Sequence, residues 1–307
     1  MTSDITIVFQ PNWVNCHKFE LALESAAASP HSKSVAKVVF VFPQRCKIMI
    51  DSGIRLLSFV NQLCHSGKMV TLDFEEGDDG TMGYLGRVGF FDFLNASVNV
   101  LPYRPLITGA DIYRGYSSAL VEIENINPSH RDEELPRKLS ETLESYSNFN
   151  HQRDKEVIGT AAYTLFAELI DNIFKHSSTE LDGFAALQVY QAGRKVMVAV
   201  SDSGKGILRT LRPALSKKYP KLGIISDTDL IIEAFNNGLS RFGADQGCGL
   251  RQCARQAIKF KAELDVRLPT SRVHLEPSND GYATAYCYDD LPRIWGTHIC
   301  FDFYLDK

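Results

Sequence analysis

The stretch that most constrains the fold is FAELIDNIFKHS, Phe166 to Ser177. At about 100° per residue, Phe166, Leu169, Ile170, Ile173 and Phe174 fill one side of a helix and demand a core to pack against. Glu168, Asn172, Lys175 and His176 fall together on the other side. A merely solvated face has no need of an Asn one turn beyond a Glu, with a Lys-His pair after it. The helix is therefore read as one wall of a domain and as a carrier of polar chemistry.

The chain beyond this helix supplies the rest of that domain. FAALQVYQAG and RKVMVAVSDSG read as two strands joined at Ala192-Gly193, and a segment rich in Gly and Lys comes after them. Next are a helix in DTDLIIEAFNNGL, a glycine loop GADQGCG and a helix LRQCARQAIKF. AELDVRLP, GYATAYCYDD and GTHICFDFYL then alternate as antiparallel strands do. The simplest packing of this order places helices on one face of a mixed sheet.

The first third alternates differently. DITIVF, AKVVFVF and KMVTLDF read as strands, separated by helical runs CHKFELALESAAAS and SGIRLLSFVNQLCHSG, with GRVGFFDFLNAS after them. That alternation predicts a small α/β layer. Between Asn127 and Glu156 the chain turns polar and Pro128 and Pro136 interrupt it. The expected organisation is an α+β chain: an α/β unit over 1–126, a polar helical linker over 127–154 and the second unit over 155–307. At 307 residues the chain is long enough for two cores.

Composition excludes several classes. The formal charge of −4, from 33 basic and 37 acidic residues, gives no electrostatic footprint for nucleic acid or an anionic membrane. No apolar run reaches the length of a membrane span, and MTSDITIVFQPNW lacks the pattern of a secretion signal. The expectation is a soluble, cytoplasmic protein. The seven cysteines are odd in number and scattered, so they read as reduced packing residues, and Cys248 and Cys253 lack the partners of a zinc site.

Four pieces of the second unit carry polar chemistry in a fixed order. They are Glu168-x-x-x-Asn172-x-x-Lys175-His176, SDSGKGI with Asp202, Gly204, Gly206 and Ile207, GADQGCGL with Gly247, Gly249 and Leu250, and Gly296-Thr297 opening the last strand. Singly, each reads as a solvated face, a turn or a cap. Together, over roughly 155–307, they resemble the N box, the two glycine boxes and the Gly-Thr of the GHKL or Bergerat-fold ATP-binding domain. That domain is shared by gyrase, heat-shock chaperones, histidine kinases and MutL. The Lys175-His176 ending looks most like the histidine kinases.

The resemblance implies ATP and Mg²⁺ as cofactors. Asn172 would be the metal ligand, since an amide oxygen suits a hard cation that takes its remaining ligands from phosphates and water. Glu168 would be the general base, and Lys175 and His176 would lie near the phosphate tail. Asp202 would accept the exocyclic amine of adenine, with Thr297 completing that contact. Gly204, Gly206 and Ile207 would line the base, and Gly247, Gly249 and Leu250 would bring amides to the phosphates at a helix start. The segment from Leu208 to Asp245 would be a flexible lid, with Lys205, Lys217 and Arg241 as phosphate contacts.

The first third, with AKVVFVF, Asp51-Ser52-Gly53 and KMVTLDF, is similar to the STAS domain of anti-sigma-factor antagonists. In that family a Ser at this helix start is a phosphorylation site; the residues themselves read as a helix cap. The expected function is an ATP-binding regulator that hydrolyses ATP or phosphorylates a protein partner, switching contacts with nucleotide state. The alternatives are a binding-only module of anti-sigma type and an atypical histidine kinase using His151. A protein partner is expected, as regulator or phosphoacceptor, and a homodimer is left open. Neither a membrane nor nucleic acid is expected as a partner.

Overall fold

The computed structural model describes residues 3–130, 132–146, 152–176, 179–192, 194–237, 248–279 and 281–304. Gly247, Arg241, Gly193 and His151 lie outside these residues. The side chains of Lys175 and His176 are also outside the description, although their backbone belongs to a helix.

The chain begins with β1 (Ser3–Val8), β2 (Asn12–Val14), α1 (Cys16–Glu24), β3 (Val35–Phe42), β4 (Cys46–Ile48) and α2 (Ile50–His65). It continues with β5 (Met69–Phe74), α3 (Thr81–Arg87), β6 (Asn99–Leu101), α4 (Gly109–Tyr113) and β7 (Leu120–Ile126). Among the described residues, β1, β3, β5 and β6 form a parallel sheet in that spatial order. With β2 and β4 paired to each other, each strand of this sheet neighbours the sheet's next strand in sequence, as crossovers in one direction produce. One face of this sheet is deeply buried through Ile5, Ile7, Val38, Phe40, Phe42, Val70, Leu72 and Phe74, while Val8 and Met69 on the strands stay exposed.

The second part contains α5 (Glu134–Tyr146), α6 (Gln152–His176), β8 (Gly183–Tyr190), β9 (Lys195–Ser201), α7 (Ile207–Lys218), α8 (Asp227–Asn237) and α9 (Cys248–Lys259). It ends with β10 (Glu263–Arg267), β11 (Arg272–Ser278), β12 (Gly281–Tyr288) and β13 (His298–Tyr304). The large sheet runs β12-β11-β10-β13-β9-β8-β7, and each of these neighbouring pairs is antiparallel. The mixed sheet expected from the sequence is therefore replaced by an antiparallel one. Strand β7, which precedes the polar stretch, pairs with β8 and closes one edge.

Helices also cover both faces of this sheet rather than one. Ala185, Leu187, Val196, Val198 and Val200 face a core shared with α5, α6 and α9, as the apolar stripe Phe166, Leu169, Ile170 and Ile173 requires. The alternate residues Phe184, Ala186, Met197 and Ala199 belong to the core built around α2 and the parallel sheet. Burial on both sides explains why β8 and β9 read as continuous apolar runs rather than as alternating ones.

Helix α2 is thus the middle layer, and every residue from Ile50 to Val60 is buried. Ser52 keeps a buried hydroxyl with no partner, but Arg55, Ser58 and Gln62 find partners across the layers. Arg55 Nη1 donates to Glu20 Oε1 at 2.9 Å and its Nη2 to Asp265 Oδ1 at 3.3 Å. Arg267 Nε donates to the same Glu20 oxygen at 3.0 Å, and Arg272 Nε donates to Asp265 Oδ2 at 2.8 Å. Burial alone would raise the Asp265 carboxyl, but Arg272 and Arg55 overcome it and hold the group below the ordinary carboxylate range.

The start of α2 differs from the expected Asp51-Ser52 cap. Met49 occupies the cap position without a side-chain bond, and Asp51 Oδ2 instead accepts from Cys16 N at 3.0 Å and Cys16 Sγ at 2.7 Å. Ser52 is 0% exposed, so no kinase can reach its hydroxyl in this conformation. No helix among the described residues is long and apolar enough to cross a membrane.

Arg55→Ala should leave Glu20 and Asp265 buried with one cation fewer, a change that costs roughly 3–5 kcal/mol for buried pairs. Urea denaturation followed by both tryptophan fluorescence and far-UV dichroism should show that loss. The two probes should coincide in one transition for the wild type, because α2 is shared by both sheets.

Candidate functional site

Strand β9 delivers Asp202 one residue beyond its end. The Asp202 amide donates to Thr297 O at 3.0 Å, extending the β9–β13 ladder past Ser201. The carboxylate is turned back on its own loop, where Oδ1 accepts from Gly204 N at 2.8 Å. Burial raises the Asp202 carboxyl to about 6, with the amides of Gly204, Thr297 and Gly206 opposing the rise. At neutral pH the group is an anion with little water around it, poised to accept a hydrogen bond.

Two glycines make this close packing achievable. Gly296 has φ +86°, and a Cβ there would lie 1.8 Å from Asp202 O. Gly206 has φ +77°, and its Cβ would lie 3.0 Å from Gly296 O. Both conformations and both approaches exclude larger residues. Thr297 Oγ1 accepts from Ile207 N at 2.9 Å, which ties the start of α7 to the start of β13.

Asp202 lines a narrow slot with Leu169, Asn172, Ile173, Val200, Ile207, Thr297 and Ile299. The structure therefore brings together Asn172, Asp202, Ile207 and Thr297 among the residues singled out in sequence, with Gly204 and Gly206 on the adjoining loop. Asn172 Nδ2 is buried and has no hydrogen-bond partner. The two ends of an amide exchange by a half turn, so this position can equally offer an oxygen. An orphaned amide lining the same apolar slot as a desolvated carboxylate is a polar group awaiting a partner. The slot encloses only about 30 Å³, room for about one or two waters, so a planar ring enters only as the walls part.

Glu168, one turn before Asn172 on α6, is partly buried. Its charge faces α9: burial first, and Glu168 next, push the Cys253 thiol up. Cys253 Sγ in turn lies 3.5 Å from Leu165 O, which fixes α9 against α6. Leu250, in the first turn of α9, is buried, while Gly249 is described by its backbone alone. Glu168 thus sits toward the helix that the second glycine run opens, apart from the Asp202 slot.

The described part of the segment expected to be a flexible lid, Leu208 to Asn237, contains two helices, α7 and α8; residues 238–245 of that segment lie outside the described residues. Leu208, Leu211 and Leu215 of α7 and Leu230, Ile231, Ala234 and Phe235 of α8 are core residues. Arg212 clamps the connection, donating to Gly223 O at 3.0 Å, Ile225 O at 2.8 Å and Asp227 Oδ1 at 2.6 Å. Lys205 and Lys217 are both exposed. Among the described residues no cluster of His, Cys, Asp and Glu could hold a metal ion.

The sequence reading missed Ser203, Arg293 and Trp295, which border a larger cleft on the other side of the Asp202 loop. Their signal was weak because they are single residues in loops, brought together only by the packing of α2. A scan against models of known protein families finds no match to this chain, and a search of curated proteins finds no relative.

The raised Asp202 carboxyl has a measurable consequence. The folded protein holds this proton more tightly than the unfolded chain, where the ordinary value is 3.8, so the associated stability is full below that pH and is lost as pH rises through about 6. Asp302, also raised to about 6, titrates in the same window and remains in the variant. The wild-type minus Asp202→Asn difference in melting temperature should therefore fall between pH 4 and pH 7. A flat difference would show that Asp202 is not desolvated.

Proposed function

We propose that the chain is an ATP-binding regulatory protein of GHKL or Bergerat type, whose N-terminal layer is STAS-like. It hydrolyses ATP or transfers the γ-phosphate to a protein partner. The observation that carries this reading is the slot with Asp202 at one wall and the orphaned amide of Asn172 at another. Support also comes from the element order, in which α6, the β8–β9 pair, α7, α8, α9 and the final β13 present the four motifs in the order of that family.

In this reading the apolar walls Leu169, Ile173, Val200, Ile207 and Ile299 take the faces of the adenine ring. Asp202 accepts its exocyclic amine, a contact that guanine, with an oxygen there, would turn into repulsion. Asn172 would hold Mg²⁺, which neutralises phosphate charge when bound. The partly buried Glu168, one turn earlier on α6 and toward α9, orients the attacking group and takes its proton. Amides at the start of α9 attract the phosphate tail. Ordered α7 and α8 make the described part of the covering segment a rigid body, so closure would come from its hinges.

Calorimetry with ATP and GTP, with and without Mg²⁺, tests the assignment. ATP should bind more tightly than GTP, and Asp202→Asn should weaken ATP by more than about 1 kcal/mol, the scale of a charge-assisted hydrogen bond. Asn172→Ala should abolish the Mg²⁺ dependence. Equal affinity for ATP and GTP would overturn the adenine assignment.

Catalysis separates from binding at Glu168. Glu168→Gln keeps the shape of the side chain and cannot take a proton, so phosphate release or transfer should drop roughly 10²-fold or more at unchanged nucleotide affinity. Full activity in Glu168→Gln would remove the base. Nucleotide binding with no turnover in any form, with partners added, would leave a binding-only module.

A further inference from the structure

A second cleft, of about 860 Å³, opens beside the Asp202 loop between the two layers of the molecule. Its C-terminal wall includes Ser203, Lys205, Arg209, Arg293 and Trp295, and His31 and Ser66 come from the N-terminal part. The volume is that of a site for a small molecule. Arg212 and Asp227 also line the cleft, but they neutralise each other at 2.6 Å. Among the described residues no carboxylate is paired with Lys205, Arg209 or Arg293, which leaves three positive charges around one cavity.

The cleft also has a built interior. Ser203 is 1% exposed, and its hydroxyl has no hydrogen-bond partner. His31 Nε2 is likewise buried and unpartnered. The His31 ring stacks on Trp295 with centroids 4.9 Å apart and an interplanar angle of 11°. Burial first, then the charges of Arg293 and Lys68, lower His31 to about 4, against an opposing hydrogen bond from Gln62, so it stands neutral at pH 7. A neutral imidazole and an orphaned hydroxyl are donors for an acceptor-rich ligand, and the three cations set its sign.

We propose that this cleft binds a small phosphorylated molecule, held by Lys205, Arg209 and Arg293 at its mouth and by Ser203 at its floor. Arg209, Arg293 and Ser203 do not line the Asp202 slot, and Lys205, also a candidate phosphate contact of the nucleotide reading, is the one holder the two readings share. A ligand there contacts both parts of the chain at once. It also touches the Trp295-Gly296 segment, whose backbone presses on Asp202. The chemistry is that of a regulatory anion site seated beside the candidate nucleotide slot.

Inorganic pyrophosphate is the probe, titrated by calorimetry into the full chain at low salt. Saturable binding is expected, weakening as salt is added. Arg209→Glu and Arg293→Glu, both at exposed positions, should each weaken it about tenfold or more. Ser203→Ala should weaken it without lowering the melting temperature, since that hydroxyl has no partner to lose. Asn172→Ala and Asp202→Asn should leave pyrophosphate binding unchanged. The proposal is overturned if wild type binds no pyrophosphate, or if the charge reversals have no effect. It is equally overturned if Asn172→Ala removes the binding, which would place the anion in the nucleotide slot.

Discussion

The rest of the structure depends on the burial of α2 between two sheets. A helix sealed on all sides is ordinarily apolar, yet this one carries Asp51, Ser52, Arg55, Ser58 and Gln62 inside. Removing Arg55 from water is costly, and the cost is offset only where Glu20 from α1 and Asp265 from β10 both reach it. That geometry is available in one arrangement of the two layers. The ion cluster therefore acts less as a source of stability than as a register mark between the parallel and antiparallel sheets.

The same helix sets the rim of the candidate site. Gln62 holds the Trp295 backbone from both sides, donating from Nε2 to its carbonyl at 3.1 Å and accepting its amide at Oε1 at 2.8 Å. Ser58 meets Ser201 at 2.8 Å, immediately before Asp202. Ser201 also contacts His298, whose other nitrogen lies 3.0 Å from Trp295 O. Burial first, and the nearby Arg55 and Arg267 charges next, hold His298 well below the usual imidazole range, so this chain of bonds runs through a neutral ring. The Gly296 kink and the Asp202 loop are thus positioned from the N-terminal part of the chain, although every residue of the slot belongs to the C-terminal part.

The sequence showed what local periodicity and motif order can carry. The apolar stripe of α6, the doubly apolar strands β8 and β9 and the glycines around Asp202 were legible because each has a strict local requirement. The alternation along β10, β12 and β13 read as antiparallel and they pair so, but the direction of the sheet as a whole was not legible, because the doubly buried β8 and β9 carry no alternation to read. Strand β11, in RVHLEPS, escaped notice because Pro277 and the charged residues mask its pattern. The role of α2 was also hidden, since Asp51, Ser52 and Arg55 look like solvent-facing residues until Glu20, Cys16 and Asp265 arrive from far along the chain. The helices within the expected lid were hidden for a related reason. Its glycines and lysines suggested flexibility, whereas Arg212 and the leucines of α7 anchor it.

Because β10 supplies Asp265 and the final strand β13 lies at the centre of the large sheet, the order of synthesis matters. When α2 leaves the ribosome, the partners for one of its faces, from β8 at Gly183 to β13 at His298, have still to be made, a delay on the order of ten seconds at ordinary elongation rates. During that interval the nascent chain displays an apolar helix face whose central guanidinium has Glu20 from α1 but not yet Asp265. A charge in the middle of an exposed apolar face is of the kind that opposes self-association. A helix that looks costly in the finished molecule is in this sense well suited to the unfinished one.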